Sequence, residues 1–291
     1  MNIDHLRTWI GRQDRASEVL SPQLAQRFLA TLGPGGQVQI GDPAPLLIHL
    51  CLAPPVAPMD ALGRDGHPAK GGFLPHVPLP RRMWAGGAFD FHRQPRIGEE
   101  LTRISTIRNV VAKQGRTGQL CFVTVEHQIS ANDRLLITEQ QDIVYREEAT
   151  DVTAKAEPPT APQGAEQRSI SPTPTLLFRY SALTFNGHRI HYDAPYAQKV
   201  EGYPGLVVHG PMLATLLCQF AADILGQEPA RFEFRSLTTL FDDQPFTLHA
   251  AKTETGLDLW CARSGGPVAM QARATTSPSP DQGLLGGQRR L

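Results

Sequence analysis

Apolar residues, many of them β-branched or aromatic, recur through residues 101–111, 120–130 and 135–146, which read as long β-rich stretches. Gln114-Gly115-Arg116-Thr117-Gly118 and Asn132-Asp133 separate these runs, and both are turn-forming sequences. The pattern predicts an antiparallel meander. Residues 232–241, 246–253, 257–263 and 268–274 predict a second set of strands. Helical spacing appears twice. In the first case Leu24, Phe28, Leu29 and Leu32 share a face behind Ser21-Pro22, a capping residue followed by proline at the first helical position, and Gly33 marks the stop. In the second, Leu213, Leu216, Leu217, Phe220 and Ile224 alternate with alanines up to Gly226. That helix is apolar nearly all round and is expected to be buried on most sides.

Residues 54–87 read as loop throughout, and 149–170 is polar and proline-rich, with the character of a linker. The halves on either side echo each other, since Phe89-Asp90-Phe91 opens one strand run and Phe232-Glu233-Phe234 the other. An antiparallel sheet must cover one face, and a buried helix is the available cover. The expected fold is therefore α+β, a double hotdog: two antiparallel sheets, each wrapped on a helix, packed as an internal pseudo-dimer. The expected boundaries are 1–148 for the N-terminal unit, 149–170 for the linker, 171–278 for the C-terminal unit and 279–291 for a flexible tail.

Composition narrows the class. The chain has 291 residues, 41% hydrophobic and 19% charged, with a formal net charge of +0. This suits a globular protein and gives no reason to expect nucleic acid or a membrane surface as partner. No apolar run reaches the roughly 18 residues of a membrane span, and Met1–Asp14 lacks a signal-peptide core. Four cysteines stand far apart with no C-x-x-C pair, so a disulfide framework is not expected and a reducing cytoplasm is.

Candidate chemistry concentrates between Arg179 and Asp193, followed by Gly205-Leu206-Val207-Val208-His209-Gly210-Pro211. Water addition across a double bond conjugated to a thioester needs a base and a donor for the enolate oxygen. His191 suits the first role, because imidazole titrates near neutrality. The Gly210 amide suits the second, at a helix start where free N–H groups and the helix dipole favour negative charge and no Cβ obstructs approach. His188 and His191 equally suit hydrogen-bonded loop histidines. A metal site at this H-x-x-H pair is not expected, for want of a third ligand nearby in sequence. The remaining histidines, His67 among them, read as structural or exposed. No Gly-rich nucleotide loop or metal ligand set is present, so no cofactor is expected.

The stretch Ser181–Asp193 with Val207-Val208-His209-Gly210-Pro211-Met212-Leu213 resembles the MaoC-like (R)-specific enoyl-CoA hydratases, whose core reads Asp-x-Asn-Pro-x-His-x-Asp followed by His-Gly-Met-Leu. In that register His191 falls on the catalytic histidine, Asn186 on the catalytic aspartate, Arg189 on the proline and Gly210 on the glycine whose amide polarises the thioester carbonyl. Residues 184–193 together with 79–87 are similar to the double-hotdog subgroup of 3-hydroxyacyl-thioester dehydratase type 2 and mesaconyl-C4-CoA hydratase. The resemblance implies a hydro-lyase acting on an acyl-CoA thioester, with coenzyme A entering only as part of the substrate. It implies catalytic roles for Asn186, His191 and Gly210, and substrate contacts from Arg189, Tyr192, His209, Arg81 and Trp84. Arg189 suits either a carboxylate on the acyl group or a loop ion pair with Asp193 or Glu201. A homodimer of double hotdogs is a compatible assembly. A thioesterase, a dehydratase acting on acyl carrier protein and a non-catalytic acyl-CoA-binding module remain open at this level.

Overall fold

The computed structural model describes residues 1–69, 71–115, 118–147 and 158–276. The centre of the 114–118 turn, residues 149–157 of the expected linker and the expected tail at 279–291 lie outside the described residues.

The meander forms as its sequence predicts. Strands β3 (Glu100–Gly115), β4 (Gly118–Ala131) and β5 (Arg134–Arg146) pair antiparallel, and β1 (Gln13–Val19) adds to the free edge of β3. β2 (Arg81–Phe91) lies on the other side, against β5. In the C-terminal half, β7 (Arg231–Ser236), β8 (Phe246–Lys252), β9 (Gly256–Arg263) and β10 (Val268–Thr275) pair in the order β7-β10-β9-β8, and β6 (Glu166–Ile170) closes that edge.

One antiparallel pair, β2 with β7, joins the two sets into a ten-stranded sheet of order β1-β3-β4-β5-β2-β7-β10-β9-β8-β6. The two echoing motifs meet at this seam. Phe89 stands opposite Phe232, Gly87 opposite Phe234 and Asp90 opposite Arg231. The Phe89 ring lies 6.4 Å from Phe232 and 5.9 Å from Phe234, and Arg231 donates to Asp90 across the strands.

Three segments depart from expectation. Residues 81–87, read as loop because of their glycines, are the first part of β2. A Cβ at Gly86 would stand 2.7 Å from the Phe234 carbonyl oxygen, and one at Gly87 would overlap the Gln140 carbonyl. The glycines thus permit a close strand approach where they suggested a turn. Residues 166–170, read as linker, form the edge strand β6, four of whose five side chains are exposed, so no apolar alternation marks it. β1 is likewise almost wholly exposed and carries no such signal.

Helix α2 (Pro22–Leu32) begins as its sequence predicts, with the Ser21 hydroxyl accepting from the Leu24 amide at 3.2 Å. Helix α5 (Gly210–Leu225) buries nine side chains and ends at Gly226 in the left-handed conformation. Its Met212, Leu213, Leu216, Leu217 and Phe220 share one core with Leu24 and Phe28 of α2 and with Phe89, Phe232 and Phe246 of the sheet. A second, smaller core forms on the N-terminal half from Val77, Leu79, Ile107, Val123 and Tyr145. The start of α5 is thereby held rigidly at the surface of a core that both halves build. Among the described residues no helix is long and apolar enough to cross a membrane.

Candidate active site

Helix α3 (Pro174–Leu183), a loop over residues 184–188, a single turn of 3-10 helix (Arg189–His191) and short helix α4 (Ala194–Lys199) run beneath the start of α5. Phe185 adopts a left-handed conformation with φ 50° and is exposed, a strained position for an aromatic residue. The Asn186 Oδ1 accepts from the His188 amide at 3.0 Å and sets the turn that follows. Asp193 caps α4 by accepting from the Tyr196 amide at 3.1 Å. The segment is thus tied locally at both ends of the histidine pair.

His191 is 7% exposed, and its Nδ1 lies 2.7 Å from the Val207 carbonyl oxygen. A carbonyl can only accept, so Nδ1 carries the hydrogen and Nε2 presents its lone pair. The His209 ring stacks on that of His191, with centroids 3.6 Å apart and an interplanar angle of 18°. His209 Nε2 is in turn 2.8 Å from the Ser181 hydroxyl of α3. Burial lowers the His191 pKa to about 3, against the partial opposition of the Val207 hydrogen bond and with the help of His188 and His67. The ring is therefore neutral at pH 7, with one fixed tautomer: a base ready to accept.

Gly210 opens α5, whose first turn receives no side-chain cap from His209. Its amide is thus one of the free donors at a helix start. A Cβ at Gly210 would meet Trp84 at 3.9 Å and Ser236 at 4.0 Å, ordinary contact distances. Trp84 comes from β2, so a side chain of the N-terminal half packs near Gly210. Because that space is open in the protein alone, Gly210→Ala is expected to fold with an unchanged Tm. The new methyl group would hold a thioester carbonyl off the amide and lower kcat by about 10²- to 10³-fold, the usual cost of one oxyanion donor. A melting curve beside initial rates checks both halves of this expectation.

Other expected contacts resolve differently. The Arg189 Nε and Nη2 both donate to Asp193 Oδ2, at 3.0 and 2.7 Å, and its guanidinium lies 4.1 Å from the centre of the Tyr196 ring. Of its two readings, the loop ion pair is the one formed. Arg81 donates to Tyr203 Oη and the Glu201 carbonyl, each at 3.3 Å, and lies 3.7 Å from the Glu201 carboxylate. Tyr192 donates to the Gly187 carbonyl at 2.9 Å. His209, expected at the substrate, is 1% exposed and serves as the plate behind His191.

The residues that sequence reasoning missed come from residues 63–67. Gly66, at φ +86°, packs directly on Gly187, and a Cβ on Gly66 would overlap the Gly187 carbonyl oxygen. The Arg189 amide donates to the Asp65 carbonyl at 2.9 Å, and the Arg189 guanidinium to the Arg64 carbonyl at 3.3 Å. This docking brings His67 onto His188, with ring centroids 4.1 Å apart, and His188 is edge-on to His191 at 5.3 Å. Asp65 Oδ2 lies 3.0 Å from His67 Nδ1. His67, read as structural or exposed, is half-buried and packs against His188. Ligand atoms of Asp65, His67 and His188 all lie within 4.8 Å of one another, a grouping that takes in only His188 of the H-x-x-H pair. The one sequence signal for it is Asp65-Gly66-His67, a turn that carries two functional side chains.

A double hotdog that carries a neutral, buried histidine stacked on the residue before a helix start has the makings of the hydratase and dehydratase class. The sequence profile of hydroxyacyl-thioester dehydratase type 2 matches residues 47–242, and the chain belongs to that family. It is 46% identical over 266 residues to the mesaconyl-C(4)-CoA hydratase of Chloroflexus aurantiacus, covering 91% of this chain and 95% of the relative. It is 32% identical over 232 residues to the mitochondrial hydroxyacyl-thioester dehydratase type 2 of Schizosaccharomyces pombe, covering 71% of this chain and 76% of that one. Among solved structures, a MaoC-like dehydratase from Phytophthora capsici superposes with a TM-score of 0.68 at 13% identity, over 94% of this chain and 98% of its own. A double-hotdog protein from Mycobacterium tuberculosis gives 0.52 at 14% identity, over 91% and 95%. These two likenesses speak for the fold.

Proposed function

We propose that this chain is a hydro-lyase that reversibly adds water to a 2-enoyl-CoA thioester with a second carboxylate on its acyl group, of the mesaconyl-C4-CoA kind. The observation that carries the chemistry is a neutral His191 whose Nδ1–H is given to the Val207 carbonyl, leaving the Nε2 lone pair free, and whose ring stacks on His209, the residue before Gly210 at the start of α5. In hydration, water gives its proton to Nε2 as its oxygen bonds to the β-carbon. The π electrons move onto the thioester oxygen, which the Gly210 amide stabilises. Asn186, whose Oδ1 accepts from the His188 amide, carries an amide that orients the water without taking its proton. Collapse of the enolate with a proton at the α-carbon completes the addition. No cofactor is needed for these steps. The 46% identity over nearly the whole of both chains supports the dicarboxylic substrate, the cytoplasm as compartment and an acyl-CoA as partner.

With Arg189 held by Asp193, the acyl carboxylate needs another cation. Arg82 of β2 has no ion-pair partner among the described residues, and its charge acts on both His67 and His188. Arg82, which also hydrogen-bonds Tyr145, is the cation we assign to that carboxylate. The test follows the enoyl-thioester absorbance and free thiol with mesaconyl-CoA and crotonyl-CoA. Loss of the band without thiol release establishes hydration, and thiol release would make the protein a thioesterase. Arg82→Met is expected to erase a preference for mesaconyl-CoA, whereas Arg189→Met keeps it. The reverse pattern would return the carboxylate to Arg189.

A further inference from the structure

His191 takes a proton from water, and an equivalent proton must reach the α-carbon. The position that aligns with a catalytic aspartate in the resembling family is Asn186, which cannot carry it. Asp193 is occupied by Arg189 and the Tyr196 amide. The structure offers a different carboxylate. Asp65 holds His67 through two contacts, Oδ1 to the His67 amide at 3.1 Å and Oδ2 to Nδ1 at 3.0 Å. The backbone docking of residues 63–67 onto 187–189 sets this pair behind His188. His188 lies between the pair and the base, 4.1 Å from one ring and 5.3 Å from the other.

We propose that Asp65, His67 and His188 form a proton relay contributed by both halves of the chain, in which His188 exchanges the proton with His191 and Asp65–His67 are its positioning residues. The inference rests on the hydratase reading above. The step balances as follows. A water O–H bond breaks and its proton bonds to His191 Nε2 while the C–O bond forms. The proton then passes from His191 to His188, leaving His191 neutral. The N–H bond on His188 breaks as the enolate electron pair forms the α C–H bond, and every ring returns to its neutral state. During transit the positive charge on His188 is balanced by the Asp65 carboxylate behind His67.

The surroundings fit this use. Burial works to raise Asp65, yet its hydrogen bonds and charge pairing with His67, and the nearby His188, hold the carboxyl well below the usual carboxylate range. Burial lowers both His67 and His188, the latter to about 3, and the Arg82 charge lowers them further. The rings are thus empty acceptors at rest beside a fixed negative charge, the arrangement of a carboxylate-backed histidine. Arg82 also disfavours a resident divalent cation at the same three side chains, which makes the relay the better-supported use of the cluster.

The test compares wild type, His67→Ala, Asp65→Asn and His188→Gln on the enoyl thioester, with kcat and KM measured separately and imidazole added to His67→Ala. The expected result is KM within about twofold and kcat lowered about 10²-fold or more in each variant, the usual worth of a proton-transfer group. Imidazole is expected to restore part of the rate, which a purely structural loss would not allow. Asp65→Asn is nearly isosteric and can keep the bond to the His67 amide, so it guards against misfolding of His67→Ala. Unchanged kcat, or a raised KM alone, overturns the relay while the hydratase reading stands. Stoichiometric metal in wild type, with activity lost on chelation, overturns it in favour of a metal site. Absence of turnover by wild type itself removes both readings.

Discussion

Replacement of His191 by alanine is expected to lower kcat by about 10²- to 10⁴-fold while substrate binding persists, because a proton acceptor is lost and the pocket walls are not. The reason is geometric. Val207 fixes the tautomer, His209 fixes the plane of the ring, and Ser181 fixes His209. A replacement base from solvent would lack all three constraints. The pH dependence sharpens the expectation. With its pKa lowered to about 3, His191 stays neutral through mildly acidic conditions, so the acid limb of kcat/KM should fall well below the usual imidazole value. Stability should behave in the opposite way. His188, His191 and His209 are all lowered by burial in the folded protein and titrate normally when unfolded. Below about pH 6.5 the unfolded chain binds more protons, so unfolding becomes easier as the pH drops. Rate profiles and denaturant melts across pH 4–8 would separate the two. Near wild-type kcat in His191→Ala would discard the mechanism.

Gly66→Ala is expected to have the second largest effect, although Gly66 has no side chain to offer the site. Its φ of +86° strains any L residue, and the new Cβ would overlap the Gly187 carbonyl oxygen. The backbone has no room to yield there, since the Arg189 amide is bonded to the Asp65 carbonyl on the same turn. A loss of about 1–3 kcal/mol follows from the strain. The turn should also lift off residues 187–189, carrying Asp65 and His67 away from His188. Stability and kcat are therefore expected to fall together, whereas in Gly210→Ala only the rate falls. A wild-type Tm and rate in Gly66→Ala would mean that the contact between the halves bears no load.

Much of the fold was legible because it depends on neighbours in sequence. β-rich stretches between turn sequences set the meander, an all-round apolar stretch set α5, and Ser21-Pro22 set the start of α2. The placement of the proposed base near the start of α5 was legible for the same reason: His191, His209 and Gly210 lie within twenty residues, and the His191 and His209 rings stack. Strands β1 and β6 escaped because both are edge strands with exposed side chains on both faces, and nothing in their composition separates them from loop. The start of β2 escaped because glycine marks both turns and close strand approach, and only the partner strands decide between them.

What tertiary structure alone decided is which distant groups share the site. Arg189 has carboxylates within reach of its own loop, and geometry chose Asp193. Arg64, 125 residues away, was brought to the same guanidinium, and Asp65 and His67 came with it. Such pairings arise from the meeting of two separately patterned halves along β2 and β7, and local periodicity carries no information about how one half faces the other. The chain thus wrote His191 and Gly210, the proposed base and oxyanion donor, into one short motif, and left Asp65 and His67 to the docking of a remote turn.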